Sequence, residues 1–165
     1  MTRTALDITR RRLLATFGAG ATLSVAGCTG GGGKPRYEDG TVDVDGNASG
    51  RSAGEVVAAD ALATQQVTES ATPLDALSIE THQFVLEDGF MGSTVQGIVA
   101  NTTDESIELA EIRVRVYDDN SDQLGRYVAS TGDLAGNSRW SFTVVVLQSP
   151  GDIARYDIAV LGIPS

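Results

Sequence analysis

Few side chains in this chain are equipped to do chemistry. Among 165 residues there is one cysteine, Cys28, and one histidine, His82. Cys28 follows Val25-Ala26-Gly27. A thiolate can take a lipid chain, and small residues ahead of it fit a peptidase cleft. His82 is the sole imidazole for acid–base work. It falls on a predicted strand, and no Gly-x-Ser-x-Gly nucleophile motif occurs in the chain. Asp118, Asn120 and Asp122 have the 1-3-5 spacing of a calcium loop. Gln123 and Ala129 stand where that loop needs glycine and glutamate, so an EF-hand is excluded and a solvated turn is expected, with a weak cation contact as the alternative. Asn47-Ala48-Ser49 and Asn101-Thr102-Thr103 match the N-glycosylation pattern, which makes Asn47 and Asn101 candidate acceptors. Tyr127, Tyr156 and Trp140 would stack a ligand if exposed together; on strands they belong to the core. A single cysteine excludes an internal disulfide and a cysteine zinc cluster. No catalytic residue, metal ligand or cofactor is expected, and the reading is of a protein that is not an enzyme.

The residues ahead of Cys28 set its context. Thr9-Arg10-Arg11-Arg12 is followed by an uncharged run, Leu13 to Gly27, rich in Ala and Gly. A basic stretch, a short apolar stretch and small residues before a cleavage point are the layout of a signal peptide. The apolar run is shorter than the roughly 20 residues a spanning helix needs. Thr9-Arg10-Arg11-Arg12-Leu13-Leu14 resembles the twin-arginine export motif, with Arg10 and Arg11 as the pair, and Val25-Ala26-Gly27-Cys28 resembles a lipobox. These resemblances imply export, removal of residues 1–27 and a membrane anchor through lipid on Cys28, facing outside.

The whole chain carries 12 basic and 22 acidic residues, a net charge of −10. Without residues 1–27 it carries 8 basic and 21 acidic residues, a net charge of −13. That balance argues against a nucleic-acid partner, which needs a basic surface. Lys34 is the only lysine. An acidic, lysine-poor surface resembles proteins of salt-loving archaea, where molar salt shrinks the Debye length to about 3 Å and screens the self-repulsion.

Residues 28–75 read as an acidic, Gly/Ser-rich tether. Gly30 to Gly33 are four glycines in a row, and no aromatic occurs between Tyr37 and Phe84. Such a stretch is short of apolar surface to offset its ordering entropy. Glu55 to Val67 would form a helical turn or two, and Pro73 bars a helix beyond Thr72.

Residues 76–165 change character. Valine and isoleucine number 17 there against 7 leucines, and β-branched residues favour strands. Turn residues punctuate the segment at short intervals. Six strands are predicted, near 77–87, 93–101, 107–118, 125–131, 139–147 and 153–161. Ile112, Val114 and Val116 alternate with Arg113, Arg115 and Tyr117, and Trp140, Phe142, Val144 and Val146 form another apolar face. In the first strand the apolar parity switches between Leu77/Ile79 and Phe84/Leu86, which predicts a bulge near Glu80 to His82. The expected fold is all-β, an immunoglobulin-like antiparallel sandwich of about six to seven strands.

Gly97-Ile-Val99-Ala-Asn101-Thr, Val114-Arg-Val116-Tyr117-Asp118, a turn ending at Gly125, Leu134-Ala-Gly136 and Trp140-Ser-Phe142 together resemble the FxLyD domain. Its naming motif falls on Val114, Val116, Tyr117 and Asp118, with valine at the Phe and Leu positions. The resemblance implies a small sandwich on a lipoprotein or secreted protein, and no reaction. These residues have structural readings: Gly97 for close backbone approach, Asn101 and Asp118 for turns, Asn120 and Gly125 for positive φ, Tyr117 for packing and a hydroxyl bond. The expected role is a noncatalytic surface lipoprotein, an interaction or envelope module whose partner would be an unidentified cell-surface protein or glycan. The alternative is an accessory solute- or ion-binding lipoprotein beside a transporter.

Overall fold

A computed structural model describes residues 33–44 and 49–165. Arg10, Arg11, Cys28 and Asn47 lie outside the described residues. Seven strands make two antiparallel sheets: β1 (Glu38–Thr41), β2 (Leu77–Leu86), β3 (Ser93–Asn101), β4 (Ile107–Tyr117), β5 (Gln123–Leu134), β6 (Arg139–Val145) and β7 (Arg155–Pro164). One sheet has the order β1-β7-β4-β5 and the other β2-β3-β6. The fold is an all-β sandwich, as the periodicity predicts. One helix, α1 (Ala53–Leu62), precedes β2.

Alternation builds the core. Ile112, Val114 and Val116 of β4 face Val95, Val99, Phe142 and Val144 of the other sheet, with Ile158 and Tyr156 of β7 beside them. Each fully buried aliphatic side chain contributes about 1.5–3 kcal/mol. The parity switch in β2 is a bulge, with the register against β3 shifting between Ile79 and Thr81. Gly97 sits opposite it. A Cβ on Gly97 would lie 2.1 Å from the Thr81 carbonyl oxygen and 2.6 Å from the Phe142 ring. The bulge pushes a carbonyl into space that only glycine leaves open.

The expectation of a tether over 28–75 needs correction for its described part. Glu38–Thr41 pairs with Arg155–Ile158 as an added edge strand. Gly40 lies opposite Tyr156, whose ring fills the space a Cβ would take. Arg51 then hooks the far end of the sandwich, donating to the carbonyls of Phe90 (2.7 Å), Met91 and Val146 (2.8 Å). Ser52 and Glu55 form a reciprocal capping box that starts α1. Beyond the helix, Thr64 bridges Val128 on β5 and Thr72 bridges Gly162 on β7. Between them, the Thr68 amide donates to Glu111 on β4 at 2.9 Å. Residues 64–72 therefore cross the outer face of the four-stranded sheet as a strap. The physical reason is that backbone bridges and small buried residues, Ala59 and Ala71, hold a segment that lacks large apolar anchors.

Candidate functional site

The side chains singled out above divide into three places. The first is the covered outer face of the four-stranded sheet. Arg115 and Asp157 are cross-strand neighbours on β4 and β7 and form a two-toothed pair at 2.8 and 2.5 Å. Tyr117 adds its hydroxyl to the same carboxylate at 3.1 Å. The Arg115 guanidinium lies 3.6 Å from the centre of the Tyr37 ring, and that of Arg155 lies 3.9 Å from the Tyr117 ring. These are cation–π distances. The hydrogen bond to Asp157 raises the Arg115 pKa, and burial, then Asp157, raises that of Tyr117. Four residues before Arg115 on β4, Glu111 is 1% exposed, pairs with Arg113 at 2.7 Å and accepts from the Thr68 amide. Arg113 returns a bond to the Thr68 carbonyl at 2.7 Å. Tyr117 thus has the packing and hydroxyl roles the motif implies, while Val114 and Val116 are core.

The second place is the edge where β1 and β7 approach β2. His82 Nδ1 lies 2.7 Å from the Tyr156 hydroxyl, and Nε2 lies 3.8 Å from a Glu38 oxygen. Burial pushes the Tyr156 phenol up to about 12. His82 is held edge-on against the Tyr156 ring, with the centroids 5.6 Å apart. On the strap side of this edge, a groove of about 400 Å³ runs between residues 33–38 and residues 73–79. Lys34, Arg36, Glu38 and Asp75 line its rim, over Leu74, Leu77 and Val160. Its volume falls within the range of small-molecule clefts, larger than a sandwich of this size leads one to expect.

The third place is the turns. Asp118 Oδ1 accepts from the amides of Asn120 (2.9 Å) and Asp122 (2.8 Å), which makes the 118–122 turn an Asx-type turn. Among the described residues positive φ falls on Ser121, Asp133 and Asn137 and on Gly89 and Gly92, not on Asn120 or Gly125 as expected. The 118–122 turn places its tightest residue one position past Asn120, and Gly125 instead gives room to the Tyr127 ring, 3.0 Å from where its Cβ would be. Asn101 is 2% exposed. Its Nδ2 donates to the carbonyls of Glu105 (2.7 Å), Leu134 (3.1 Å) and Ala135 (3.1 Å), and its Oδ1 accepts from the Thr103 amide at 3.1 Å. This corrects its reading as a glycan acceptor. The amide nitrogen that a glycan would occupy ties two loops together inside the fold.

Tyr127, Tyr156 and Trp140 do not form a stacking patch. Tyr127 and Tyr156 are buried in the core and Trp140 packs partly buried against it. Among the described residues no three His, Cys, Asp or Glu side chains converge to hold a metal ion. Among the same residues no helix is long and apolar enough to cross a membrane. Sequence reading missed Arg51, Glu111 and Asp157. The signal for the last two was present: acidic residues at outward positions of the two central strands, next to outward Ala159 and Leu161, mark a face that something covers. Comparison with protein-family models, with curated proteins and with solved structures finds no match.

Proposed function

We propose that this chain is a noncatalytic surface lipoprotein, exported by the twin-arginine route, cut before Cys28, lipidated there, and displaying an FxLyD-like sandwich as an interaction or envelope module. One observation carries the noncatalytic part. The buried polar side chains are engaged in holding the chain's own strap and loops: Asp157 by Arg115 and Tyr117, Glu111 by Arg113 and Thr68, Asn101 by three carbonyls. His82, the only imidazole, is occupied on Nδ1 by Tyr156. A catalytic site keeps such groups pointed at a substrate; here they are bonded to the chain itself. The address supports the anchoring part, through Arg10, Arg11 and the residues before Cys28.

The test is the mass of the N-terminal peptide from native-host membranes, wild type beside Cys28→Ser. A peptide starting at Cys28 with added lipid, together with loss of membrane retention in the variant, supports the proposal. An unmodified chain that keeps residues 1–27 overturns it. The groove beside Lys34 favours a second reading, a solute- or ion-binding accessory lipoprotein. A thermal shift with sugars, peptides or divalent ions would favour that reading over the first.

A further inference from the structure

The strap shortens the leash. Gly33 is the first described residue and already lines the groove against Pro73, Leu74 and Val160. Only five peptide steps separate it from Cys28. Fully extended, five residues reach about 18 Å. A lipid on Cys28 therefore holds the groove near the headgroup layer, whereas a 48-residue spacer would leave the domain free to tumble. The chemistry of the groove suits that position. Lys34 and Arg36 are exposed at its rim, and neither makes an ion pair among the described residues. Of the other described cations, Arg113, Arg115, Arg139 and Arg155 face carboxylates, Arg51 is held by carbonyls, and Arg126 sits on β5. The unpaired cations nearest the anchor are thus Lys34 and Arg36, in a chain that is otherwise strongly acidic.

We propose, resting on the lipid-anchor reading, that the groove between residues 33–38 and 73–79 is the membrane-facing surface of the domain, with Lys34 and Arg36 meeting the phosphates of anionic lipid headgroups. Glu38 and Asp75 lie in the same groove, so a free anion meets as many carboxylates as cations. Tethering changes that balance. A lipid on Cys28 makes headgroup contact intramolecular, at an effective concentration in the millimolar range. Each basic side chain beside an anionic surface then favours contact about fivefold at low salt, and less as salt rises. The consequence is orientation. β2 starts at the groove with Leu77 and ends at Leu86. At about 3.3 Å per residue its far end lies about 30 Å away. The 86–93 loop and the neighbouring helix α1, with exposed Phe90 and Val57, then point away from the membrane.

The test uses the lipidated mature chain in vesicles of phosphatidylcholine and phosphatidylglycerol at 7:3. The chain has no cysteine beyond Cys28, so Ser78→Cys at the groove and Asp88→Cys at the far end each take a single spin label. A paramagnetic metal chelated to the headgroups reports distance. The expected result is a relaxation enhancement at position 78 at least fivefold that at 88, falling in Lys34→Glu/Arg36→Glu to the smaller difference that the leash alone gives, and unchanged in Arg126→Glu. Equal enhancement at both positions in the unsubstituted background overturns the orientation. A difference undiminished in Lys34→Glu/Arg36→Glu, or undiminished in pure phosphatidylcholine, overturns headgroup recognition. Absence of lipid mass on Cys28 in the same preparation overturns the anchor itself, and is read separately by mass spectrometry.

Discussion

The two outer faces of the sandwich behave in opposite ways. The face of β2-β3-β6 is open over its middle, where Thr81, Gln83, Ser141 and Thr143 are exposed, and only Thr94, Val145 and Ala100 toward its ends are buried. The face of β1-β7-β4-β5 is roofed by the strap, and positions that alternation sends outward are buried there: Glu111, Asp157, Ala159 and Leu161. An outward carboxylate on a bare sheet is solvated and costs nothing. Under a roof it loses water and must find partners. The lesson is that the strap is bound by the sheet's polar residues as much as by apolar ones, and that the same period-two pattern has different energetic weight on the two faces.

Breaking the roofed face should have the largest effect. Asp157→Ala strands the Arg115 guanidinium and the Tyr117 hydroxyl, and should cost about 3–4 kcal/mol in denaturant unfolding. A loss below about 1 kcal/mol would mean the cluster is solvated. Glu111→Ala removes the acceptor of the Thr68 amide and the partner of Arg113. It should cost about 2–3 kcal/mol and loosen residues 64–72 before the rest. Between the two faces lies Tyr156. Its folded phenol is pushed up to about 12, while in the unfolded chain it titrates near 10. The neutral form is favoured by folding, so the contribution is fully present below about pH 10 and is lost as pH rises through about 12. Unfolding titrations over that window should show a loss of stability, of which roughly 2–3 kcal/mol disappears in Tyr156→Phe. Ser52→Ala, at the helix cap that enters the strap, should cost about 1 kcal/mol. On the open face, Thr143→Ala should change stability by less than about 0.5 kcal/mol. A cost as large as that at Ser52 would mean that this face is covered too.

The six strands after residue 76 were legible because period two is a local signal, and the β2 bulge was legible because Leu77/Ile79 and Phe84 fall on opposite parities. The capping box of Ser52 and Glu55 is equally local yet was missed, and the helix it starts, Ala53–Leu62, runs ten residues where a turn or two over Glu55 to Val67 was expected. The strap was not legible from its own residues. Ala59, Ala71 and the Thr64 and Thr72 bridges carry no periodicity, and their partners lie far along the chain, at Val128 and Gly162. Asn101 shows the same limit at one residue. Asn-Thr-Thr spells a glycan acceptor, yet the amide's role depends on carbonyls at Leu134 and Ala135, more than thirty residues on. The groove could not be read either, since residues 33–38 and 73–79 meet only once the strap has wrapped round.

The central claim is that residues after Gly33 belong to the fold rather than to a spacer, and amide hydrogen exchange on the mature chain tests it most directly. The Thr72 amide donates to Gly162 at 3.0 Å, that of Gly162 returns to Thr72 at 2.8 Å, and that of Thr68 donates to Glu111. The account predicts that Thr68 and Thr72 exchange at least a hundredfold slower than an unstructured chain, and that Glu111→Ala releases Thr68 first. Exchange at the unstructured rate across 64–72, with β4 and β7 still protected, would contradict it.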